Sequence, residues 1–168
     1  AFTAATGVRC EAPSQALVTD ADVLLLAVKP QLAAAVAAEL MPIRPGALVI
    51  SICAGIGINK LQQWFGTGNI IRVMPNTPLM VGKGASAYAL GPDADAAAAA
   101  LAGRILGALG LARQVDEALL DAVTALSGSG PAYVFETVKA MAAAGEEAGL
   151  PADLSLDLTI QTIAGAAE

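Results

Sequence analysis

The chain has 168 residues, a formal net charge of −6 and no histidine, and its length is typical of one domain. The acidic balance argues against binding to nucleic acids or to anionic membrane surfaces. The lack of histidine excludes Ser-His-Asp and Cys-His catalytic arrangements and histidine metal sites. Hydrophobic residues make up 56% of the sequence, but 39 of them are alanine, which favours closely packed helices rather than a membrane span.

Bulky apolar runs are short, and the two cysteines are far apart. The longest such run is Val23–Val28, well below the roughly 20 residues that span a bilayer. Cys10 and Cys53 form neither a disulfide framework nor a CxxC metal pair, and Cys53 is interpreted as a core residue. We therefore expect a cytoplasmic, reduced, soluble protein with no membrane or nucleic-acid partner and no metal.

Both ends of the sequence are typical of a longer chain that has been cut. The sequence starts without methionine and without a signal peptide, on the helical-looking segment Ala1–Gly7. It closes on Ile160–Glu168, which has a helical pattern and no glycine or proline behind it to end the helix. We therefore expect truncation at both ends.

The first part of the chain alternates short apolar runs with helical segments. Val23–Val28 and Ala47–Cys53 lack the alternation of a half-exposed strand, which is typical of parallel strands covered on both faces. Between them, Gln31–Met41 is predicted to form a helix that ends at Pro42-Ile43-Arg44-Pro45-Gly46. A short helix at Asn59–Phe65 and a third strand at Asn69–Met74 follow.

The same alternation continues as far as residue 116. We predict a strand at Ala85–Leu90, an alanine-rich helix at Asp93–Leu109 and a weak strand at Ala112–Val115. Asp93 or Asp95 is placed to accept from the free amides at the start of this helix. The pattern predicts an α/β fold in which right-handed crossovers join parallel strands of a doubly wound sheet.

The pattern changes after Asp116. Glu117–Ser127 is predicted to be helical, Gly128-Ser129-Gly130 to interrupt the helix, and Pro131–Ala148 to form the next helix, with proline in its first turn. Pro151 opens a final helix. The chain is therefore divided into an α/β domain at residues 1–116 and the start of an all-α domain at residues 117–168.

Three predicted strands end in unusual turns: Lys29-Pro30, Ala54-Gly55 and Met74–Pro78. Ligands of open parallel sheets bind at the carboxyl ends of the strands. The turns are therefore either a crevice for a ligand or simple strand ends. Lys29 is correspondingly either a ligand contact or a solvated surface lysine, and Arg72, within an apolar strand, is predicted either at a sheet edge or in a buried ion pair.

The segment Ser127–Pro131 carries the most chemical information. Its two glycines allow a ligand to approach the backbone closely, and the amides at the start of the next helix form an anion site. An ordinary turn between helices, capped by serine, explains the segment equally well. Thr124 lies one turn earlier, so its hydroxyl faces the same pocket or bonds to its own helix.

Three strings identify a known family. Val-Lys-Pro-Gln at 28–31, Met-Pro-Asn-Thr-Pro at 74–78 and Ala-Val-Thr-Ala-Leu-Ser-Gly-Ser-Gly-Pro-Ala-Tyr at 122–133 occur in order, with Ser-Ile-Cys-Ala-Gly at 51–55 between the first two. Together they resemble pyrroline-5-carboxylate reductases, and the resemblance covers essentially the whole chain. The string ending in Ser-Gly-Pro-Ala-Tyr is highly specific, whereas the Val-Lys-Pro turn is shared with other dinucleotide-binding folds.

The resemblance implies a partial Rossmann-like domain that binds NADPH, or NADH, and a helical domain that forms a homodimer or a higher assembly of dimers. Cofactor contacts are implied at Val28, Lys29, Pro30, Ala54, Gly55, Met74, Pro75 and Asn76. Thr124 is the implied catalytic residue. The pyrroline ring and its carboxylate are implied to face Ser127, Gly128, Ser129 and Gly130.

The reaction implied by the resemblance is reduction of 1-pyrroline-5-carboxylate to L-proline by hydride transfer to the C5=N carbon. A protonated imine needs no strong acid or base, which agrees with the lack of histidine. Two further elements of the family fall outside the sequence. The glycine-rich pyrophosphate loop would precede Ala1, and a Ser/Thr-Ser-Pro-Gly-Gly-Thr-Thr segment that completes the substrate pocket would follow Glu168.

Two other functions stay open at this point. A Rossmann-fold hydroxyacid dehydrogenase would need a lysine in its helical domain to protonate an alkoxide, and Lys139 is the only lysine there. Alternatively, the chain is a dimerising scaffold without a cofactor site.

Overall fold

The computed structural model describes residues 7–8 and 18–168. The predicted helical segment Ala1–Gly7, apart from Gly7, and Cys10 lie outside the described residues. Within them, the chain forms a five-stranded sheet and six α-helices. The strands are β1 (Val23–Leu26), β2 (Leu48–Ser51), β3 (Ile70–Met74), β4 (Gly84–Leu90) and β5 (Gly110–Gln114). Each lies within two residues of its predicted bounds.

The helices follow the predicted order. They are α1 (Pro30–Leu40), α2 (Ile58–Phe65), α3 (Ala96–Gly107), α4 (Leu120–Val123), α5 (Gly130–Glu147) and α6 (Ala152–Ala166). Asp95 caps α3, because its carboxylate accepts from the Ala98 amide at 2.8 Å. None of the helices in the described ranges has the length and apolar character needed to cross a bilayer.

The sheet has the order β1-β2-β3-β4-β5, and it is mixed rather than wholly parallel. The first three strands run parallel, as predicted, but β4 runs antiparallel to β3, and β5 is parallel to β4. A parallel crossover needs about a dozen residues or more. The link from β3 to β4 is shorter and contains a 3₁₀ turn at Thr77–Val81, so it can only reverse the chain.

Apolar side chains pack on both faces of the sheet. On one face, α1 and α2 contribute buried residues, including Ala33 and Leu61, to a cluster with Val49 of β2. On the other face, Ala102 of α3 joins a second cluster with Ile71 of β3. Helices on both faces confirm the doubly wound, Rossmann-like architecture.

The helical part after β5 meets the sheet through one fully buried side chain. Leu120 of α4 belongs to the same cluster as α1 and α2. Beyond it, α5 and α6 pack against each other as an antiparallel pair joined by Ala148–Pro151. The buried Ser155 hydroxyl donates to the Ala142 carbonyl at 2.7 Å, so a polar contact joins the two helices at their closest approach.

Candidate functional site

The turns after β1, β2 and β3 lie together at one edge of the sheet, as the sequence predicted. Leu26 pairs with Ser51, so β1 and β2 end level with each other, and Ser51 pairs with Arg72, so β3 extends two residues further to Met74. The Cys53 thiol donates to the Val28 carbonyl at 3.3 Å and joins the first two turns directly. Cys53 is buried, which confirms its interpretation as a core residue.

The groups at this edge are open to a ligand. Lys29 is exposed at the N-terminal end of α1, next to Pro30. Ala54 and Gly55 are also exposed, and Gly55 has a φ of +75°, a conformation that favours glycine. The edge therefore offers an ammonium group and accessible backbone groups beside the half-buried Met74.

Arg72 lies in the middle of the sheet and forms an ion pair, which is one of the two situations predicted for it. Its side chain is 13% exposed and donates to Glu117 Oε1 at 3.0 Å, and its second nitrogen lies 3.6 Å from Asp121 Oδ1. The same Glu117 oxygen accepts the Ile58 amide at 2.8 Å. Glu117 therefore links the helical part to β3 and to the start of α2.

No local feature of the sequence indicates this role for Glu117. It lies 45 positions from Arg72 and 59 positions from Ile58, so neither helical nor strand spacing relates it to its partners. An arginine within an apolar strand was the available signal, since it requires an acidic partner from elsewhere in the chain.

The predicted interruption at Gly128-Ser129-Gly130 is confined to Ser129, which lies between two helical elements and keeps a φ of −86° and a ψ of −18°. The chain passes from α4 through a π-helical turn at Thr124–Gly128 and then into α5. The Ser129 amide donates to the Thr124 carbonyl at 2.8 Å, five residues back. A π turn accommodates one additional residue without leaving the helix, and neither Gly128 nor Gly130 has a positive φ.

This geometry also changes the predicted anion site. Pro131 has no amide hydrogen, the Ser129 amide is bonded to Thr124, and the Ala132 amide donates to the Ser129 carbonyl at 3.0 Å. The row of free amides expected at a new helix start is therefore largely absent from the segment 129–132. Gly130 and Pro131 of this segment line the cleft described below, and of the two only Gly130 has an amide hydrogen.

The hydroxyls of Thr124 and Ser127 are bonded to their own helix. Thr124 Oγ1 donates to the Leu120 carbonyl at 2.7 Å, and Ser127 Oγ donates to the Val123 carbonyl at 3.1 Å. Thr124 thus adopts the helix-bonded arrangement that the sequence left open. Because its hydrogen is engaged, its oxygen is available to accept a hydrogen bond but not to give up a proton.

Asn76 joins the sheet edge to the π turn. Its Oδ1 accepts the Ala85 amide at 2.8 Å, and its Nδ2 donates to the Ser127 carbonyl at 3.1 Å. Close by, Met74 packs against the backbone of Gly128, where a Cβ would lie 2.5 Å from the methionine Cε. The two motifs Met74–Pro78 and Ser127–Pro131, from opposite halves of the chain, are therefore in contact.

A cleft of about 320 Å³ opens where these motifs meet. Its lining consists of Asn76, Pro78, Ser127, Gly130, Pro131, Val134 and Phe135. A second depression of about 310 Å³ shares Asn76 and is lined further by Pro75, Thr77, Leu79, Met80 and Gly128. Asn76 thus stands between two adjoining depressions.

The chemistry of the cleft follows from its residue types. Its lining contains hydrogen-bonding and apolar groups but no ionisable side chain. The lining could therefore bind and orient a ligand but offers no strong acid or base. The predicted residues Val28, Lys29, Pro30, Ala54 and Gly55 lie at the sheet edge rather than in the lining of this cleft. Met74, Thr124 and Ser129 line neither depression.

Comparisons with known proteins agree with this arrangement. Residues 117–168 match the family model described as pyrroline-5-carboxylate reductase dimerisation, and residues 1–55 match the model described as NADP oxidoreductase, coenzyme F420-dependent. A pyrroline-5-carboxylate reductase of Arabidopsis thaliana is 43% identical over 162 residues, which are 96% of this chain and 59% of the relative.

Solved structures of similar proteins superimpose closely. The Plasmodium falciparum pyrroline carboxylate reductase with NADP bound has a TM-score of 0.90 at 34% identity, covering 96% of this chain and 62% of that one. A pyrroline-5-carboxylate reductase from Coxiella burnetii has a TM-score of 0.91 at 36% identity, covering 99% and 63%. The chain thus spans about three fifths of the length of these proteins. Over nearly its whole length, the chain is similar in sequence and in fold to pyrroline-5-carboxylate reductases.

Proposed function

We propose that the product of the complete gene reduces 1-pyrroline-5-carboxylate to L-proline with a reduced nicotinamide cofactor. One observation carries the proposal: two motifs about fifty residues apart, one after a strand and one at a π turn, line adjoining depressions. The lining residues are 75–78 of the first motif and Ser127, Gly128, Gly130 and Pro131 of the second. Ligands of α/β sheets bind at this edge, and the second motif would then face the acceptor.

The cofactor in this proposal is NADPH, with NADH as the alternative that the sequence leaves open. The relative from Plasmodium falciparum contains NADP, and the residues at the sheet edge suit such a molecule. The Lys29 ammonium and the turn at Ala54-Gly55 are accessible to polar ribose and phosphate groups, with Val28 and Pro30 beside them. Met74 and Pro75 offer apolar contact to a nicotinamide ring. The bound cofactor supplies the hydride.

The substrate is held by the helical side of the cleft. Gly130 is the residue whose amide we assign to the carboxylate, since its neighbours' amides are engaged or missing. Ser127, Gly128 and Ser129 form the wall beside it. Thr124 accepts a hydrogen bond from the protonated ring nitrogen, because its own hydrogen is held by the Leu120 carbonyl. Its role is to orient the imine for hydride transfer rather than to donate a proton.

The assembly in this proposal is a homodimer formed through α5 and α6, alone or in a larger assembly of dimers. The matched family model at residues 117–168 is described as a dimerisation model. Large apolar side chains are exposed on these helices: Tyr133, Val134, Phe135, Met141, Leu154, Leu156, Leu158 and Ile160. Val134 and Phe135 line both the cleft and the apolar groove between the helices, so a second copy would adjoin the substrate site.

The hydroxyacid dehydrogenase alternative finds no support in the helical part. Lys139 is exposed and pairs with Glu136 at 3.1 Å on the surface of α5. It is not part of the lining of the cleft. The scaffold alternative differs from the proposal in predicting no binding of a nicotinamide cofactor.

The proposal is tested by following oxidation of NADPH on addition of pyrroline-5-carboxylate to the purified product of the complete gene. We expect turnover, and in the reverse direction proline-dependent reduction of NADP at high pH. Oxidation only with 2-keto acids would favour a hydroxyacid dehydrogenase. Unchanged nicotinamide fluorescence on mixing would favour the scaffold.

Thr124→Ala tests the residue assigned to the ring nitrogen. We expect kcat/KM to fall about tenfold to a hundredfold, corresponding to the loss of one charge-assisted hydrogen bond, while Thr124→Ser stays near the parent value. Thr137→Ala is the matched control, since that hydroxyl also donates to its own helix, at 2.9 Å to Tyr133, but is exposed. Equal kcat/KM for Thr124→Ala and Thr137→Ala would remove Thr124 from the mechanism.

A further inference from the structure

The Ser127 carbonyl has no partner along its own helix. In an α-helix it would accept the amide four residues ahead, but position 131 is proline, which has no amide hydrogen. The carbonyl lies at the cleft, in a half-buried part of the chain. A polar group in such a position costs free energy unless another donor reaches it.

Asn76 provides that donor from the other half of the molecule. Its Nδ2 lies 3.1 Å from the Ser127 oxygen, and its Oδ1 receives the Ala85 amide at 2.8 Å. The orientation of the side-chain amide is fixed by these partners, because a backbone amide only donates and a carbonyl only accepts. One side chain therefore connects the first residues of β4 with the π turn.

The side chain of Asn76 is thus engaged with backbone on both sides of the cleft. The amide is anchored at β4, a strand paired on both sides within the sheet. Through Ser127 it ties the π turn to the end of β3. A cofactor bound at the sheet edge and a substrate held by the turn would lie on either side of this link.

We propose that Asn76 is a positioning residue for hydride transfer, which acts through the Ser127 carbonyl to set the spacing between the substrate wall and the cofactor edge. This rests on the proposed reductase activity and refines the cofactor contact that the family resemblance implied for Asn76. Small errors in the spacing of donor and acceptor lower the rate steeply. The role therefore predicts a change in KM for the substrate or in kcat, with the affinity for the cofactor unchanged.

Asn76→Asp separates the two hydrogen bonds. It keeps an oxygen for the Ala85 amide but removes the hydrogen bond to Ser127 and places a carboxylate against its carbonyl. Asn69→Asp is the matched control. Asn69 precedes β3, at the opposite end of the same strand, and its Nδ2 likewise donates to a backbone carbonyl, that of Gly46 at 3.0 Å.

Hydrogen–deuterium exchange on the product of the complete gene tests the positioning without substrate. In Asn76→Asp we expect the Ser129 amide, which closes the π turn, to exchange about tenfold faster, while the Ala85 amide keeps its protection. Asn69→Asp should change neither. If both amides of Asn76→Asp exchange as in the parent, the proposal is overturned, whatever the activity of the protein.

Steady-state kinetics tests the consequence for the reaction. We expect Asn76→Asp to raise KM for pyrroline-5-carboxylate or to lower kcat by about tenfold, with less than a twofold change in the dissociation constant of NADPH. Weaker NADPH binding alone would identify Asn76 as a direct cofactor contact and overturn the proposal. An inactive parent protein would instead contradict the proposed reductase function. In that case the hydrogen–deuterium exchange result would still test whether Asn76 positions the π turn.

Pro131→Ala keeps the test decisive if Asn76→Asp does not fold. The alanine supplies the amide that the Ser127 carbonyl lacks. The double variant Asn76→Asp, Pro131→Ala should therefore fold, and its Ser129 amide should be protected from exchange about as well as in Pro131→Ala alone. If Asn76→Asp lowers Ser129 protection equally with and without Pro131→Ala, the Ser127 carbonyl is not the group through which Asn76 acts.

Discussion

The sheet region buries a core of large side chains within the chain, whereas the helical pair α5 and α6 buries only small ones and leaves many large ones exposed. Val49, Leu61, Ile70 and Ile71 are completely buried around the sheet. On α5 and α6, by contrast, the buried residues are small: Ala142, Ser155 and Thr159. Small side chains bring the two helices close together, and the large apolar ones remain for another surface to cover.

This contrast explains how stability is distributed over the molecule. The sheet region has a core on each face. The helical region is held to it by Leu120, by the Glu117 hydrogen bonds and by the hydrogen bond from Asn76 to Ser127. The cleft lies between the two regions. Its shape therefore depends on the contacts that join the regions, here called the joint, as well as on the residues that line it.

Loss of the Leu120 side chain should have the largest effect. Leu120→Ala removes a fully buried side chain from the shared core, which we expect to cost about 2–5 kcal/mol of unfolding free energy. Leu158→Ala, at a residue 52% exposed on α6, should cost less than about 0.5 kcal/mol at protein concentrations where the chain is monomeric. Urea denaturation of both variants measures the difference.

The matched pair also reports on the surface of α6. Sedimentation at increasing protein concentration should show weaker self-association for Leu158→Ala than for the parent protein. Equal unfolding free energies for the two variants would contradict the assignment of Leu120 as the joint between the regions.

Two glycines of the helical pair α5 and α6 differ in their surroundings, since one is closely packed and the other is open. A Cβ on Gly145 would overlap the Ser155 hydroxyl, whereas nothing lies within 4 Å of a Cβ on Gly165. Gly145→Ala should therefore destabilise the helical pair by about 1–3 kcal/mol. Gly165→Ala should stabilise it by up to about 1 kcal/mol, because alanine favours helix. Thermal unfolding should shift in opposite directions, and a shift in the same direction would refute the close helix contact.

The ion pair between Glu117 and Arg72 should contribute less to the free energy of unfolding than the buried side chain of Leu120. Glu117→Gln keeps an oxygen for the Ile58 amide but removes the charge opposite Arg72, so we expect a loss of about 1–2 kcal/mol. Asp121→Asn, at a side chain that is 94% exposed, should cost less than about 0.5 kcal/mol. Denaturation at low and high salt measures both, and equal losses would show that Glu117 does not hold the regions together.

The smallest effect on stability is expected at Gly128. The Cβ of Gly128→Ala would meet Met74 Cε, the far end of a flexible side chain, so the methionine can move at a cost of less than about 1 kcal/mol, offset by higher helix propensity. The displaced methyl group should nevertheless raise KM for the nicotinamide cofactor several-fold. Unchanged kinetics together with unchanged stability would show that the Met74–Gly128 contact lies outside the site.

The strands could be predicted because their signals are local. Val23–Leu26 and Leu48–Ser51 are continuous apolar runs ended by proline or glycine turns, which is typical of buried strands. The direction of β4 is not a local property. It depends on the link after Met74, which is too short for a parallel crossover.

Part of the candidate site was also predictable. The three turns at the sheet edge follow from strand order, whereas it was the family resemblance that implied a shared site for Met74–Asn76 and Ser127–Gly130. The π turn does not, because glycine and serine at 128–130 are equally compatible with a break in the helix. The partners of Asn76 and Glu117 depend on distant backbone groups, and the proline at 131 was the sequence signal that an outside donor was needed.

A crystal structure of the complete gene product with NADP and L-proline tests the central claim most directly. The account predicts proline in the cleft bounded by Asn76, Ser127 and Phe135, with its carboxylate at Gly130 and its ring beside the nicotinamide near Met74. Proline bound away from the π turn, or on the far side of the sheet from the nicotinamide, would contradict it.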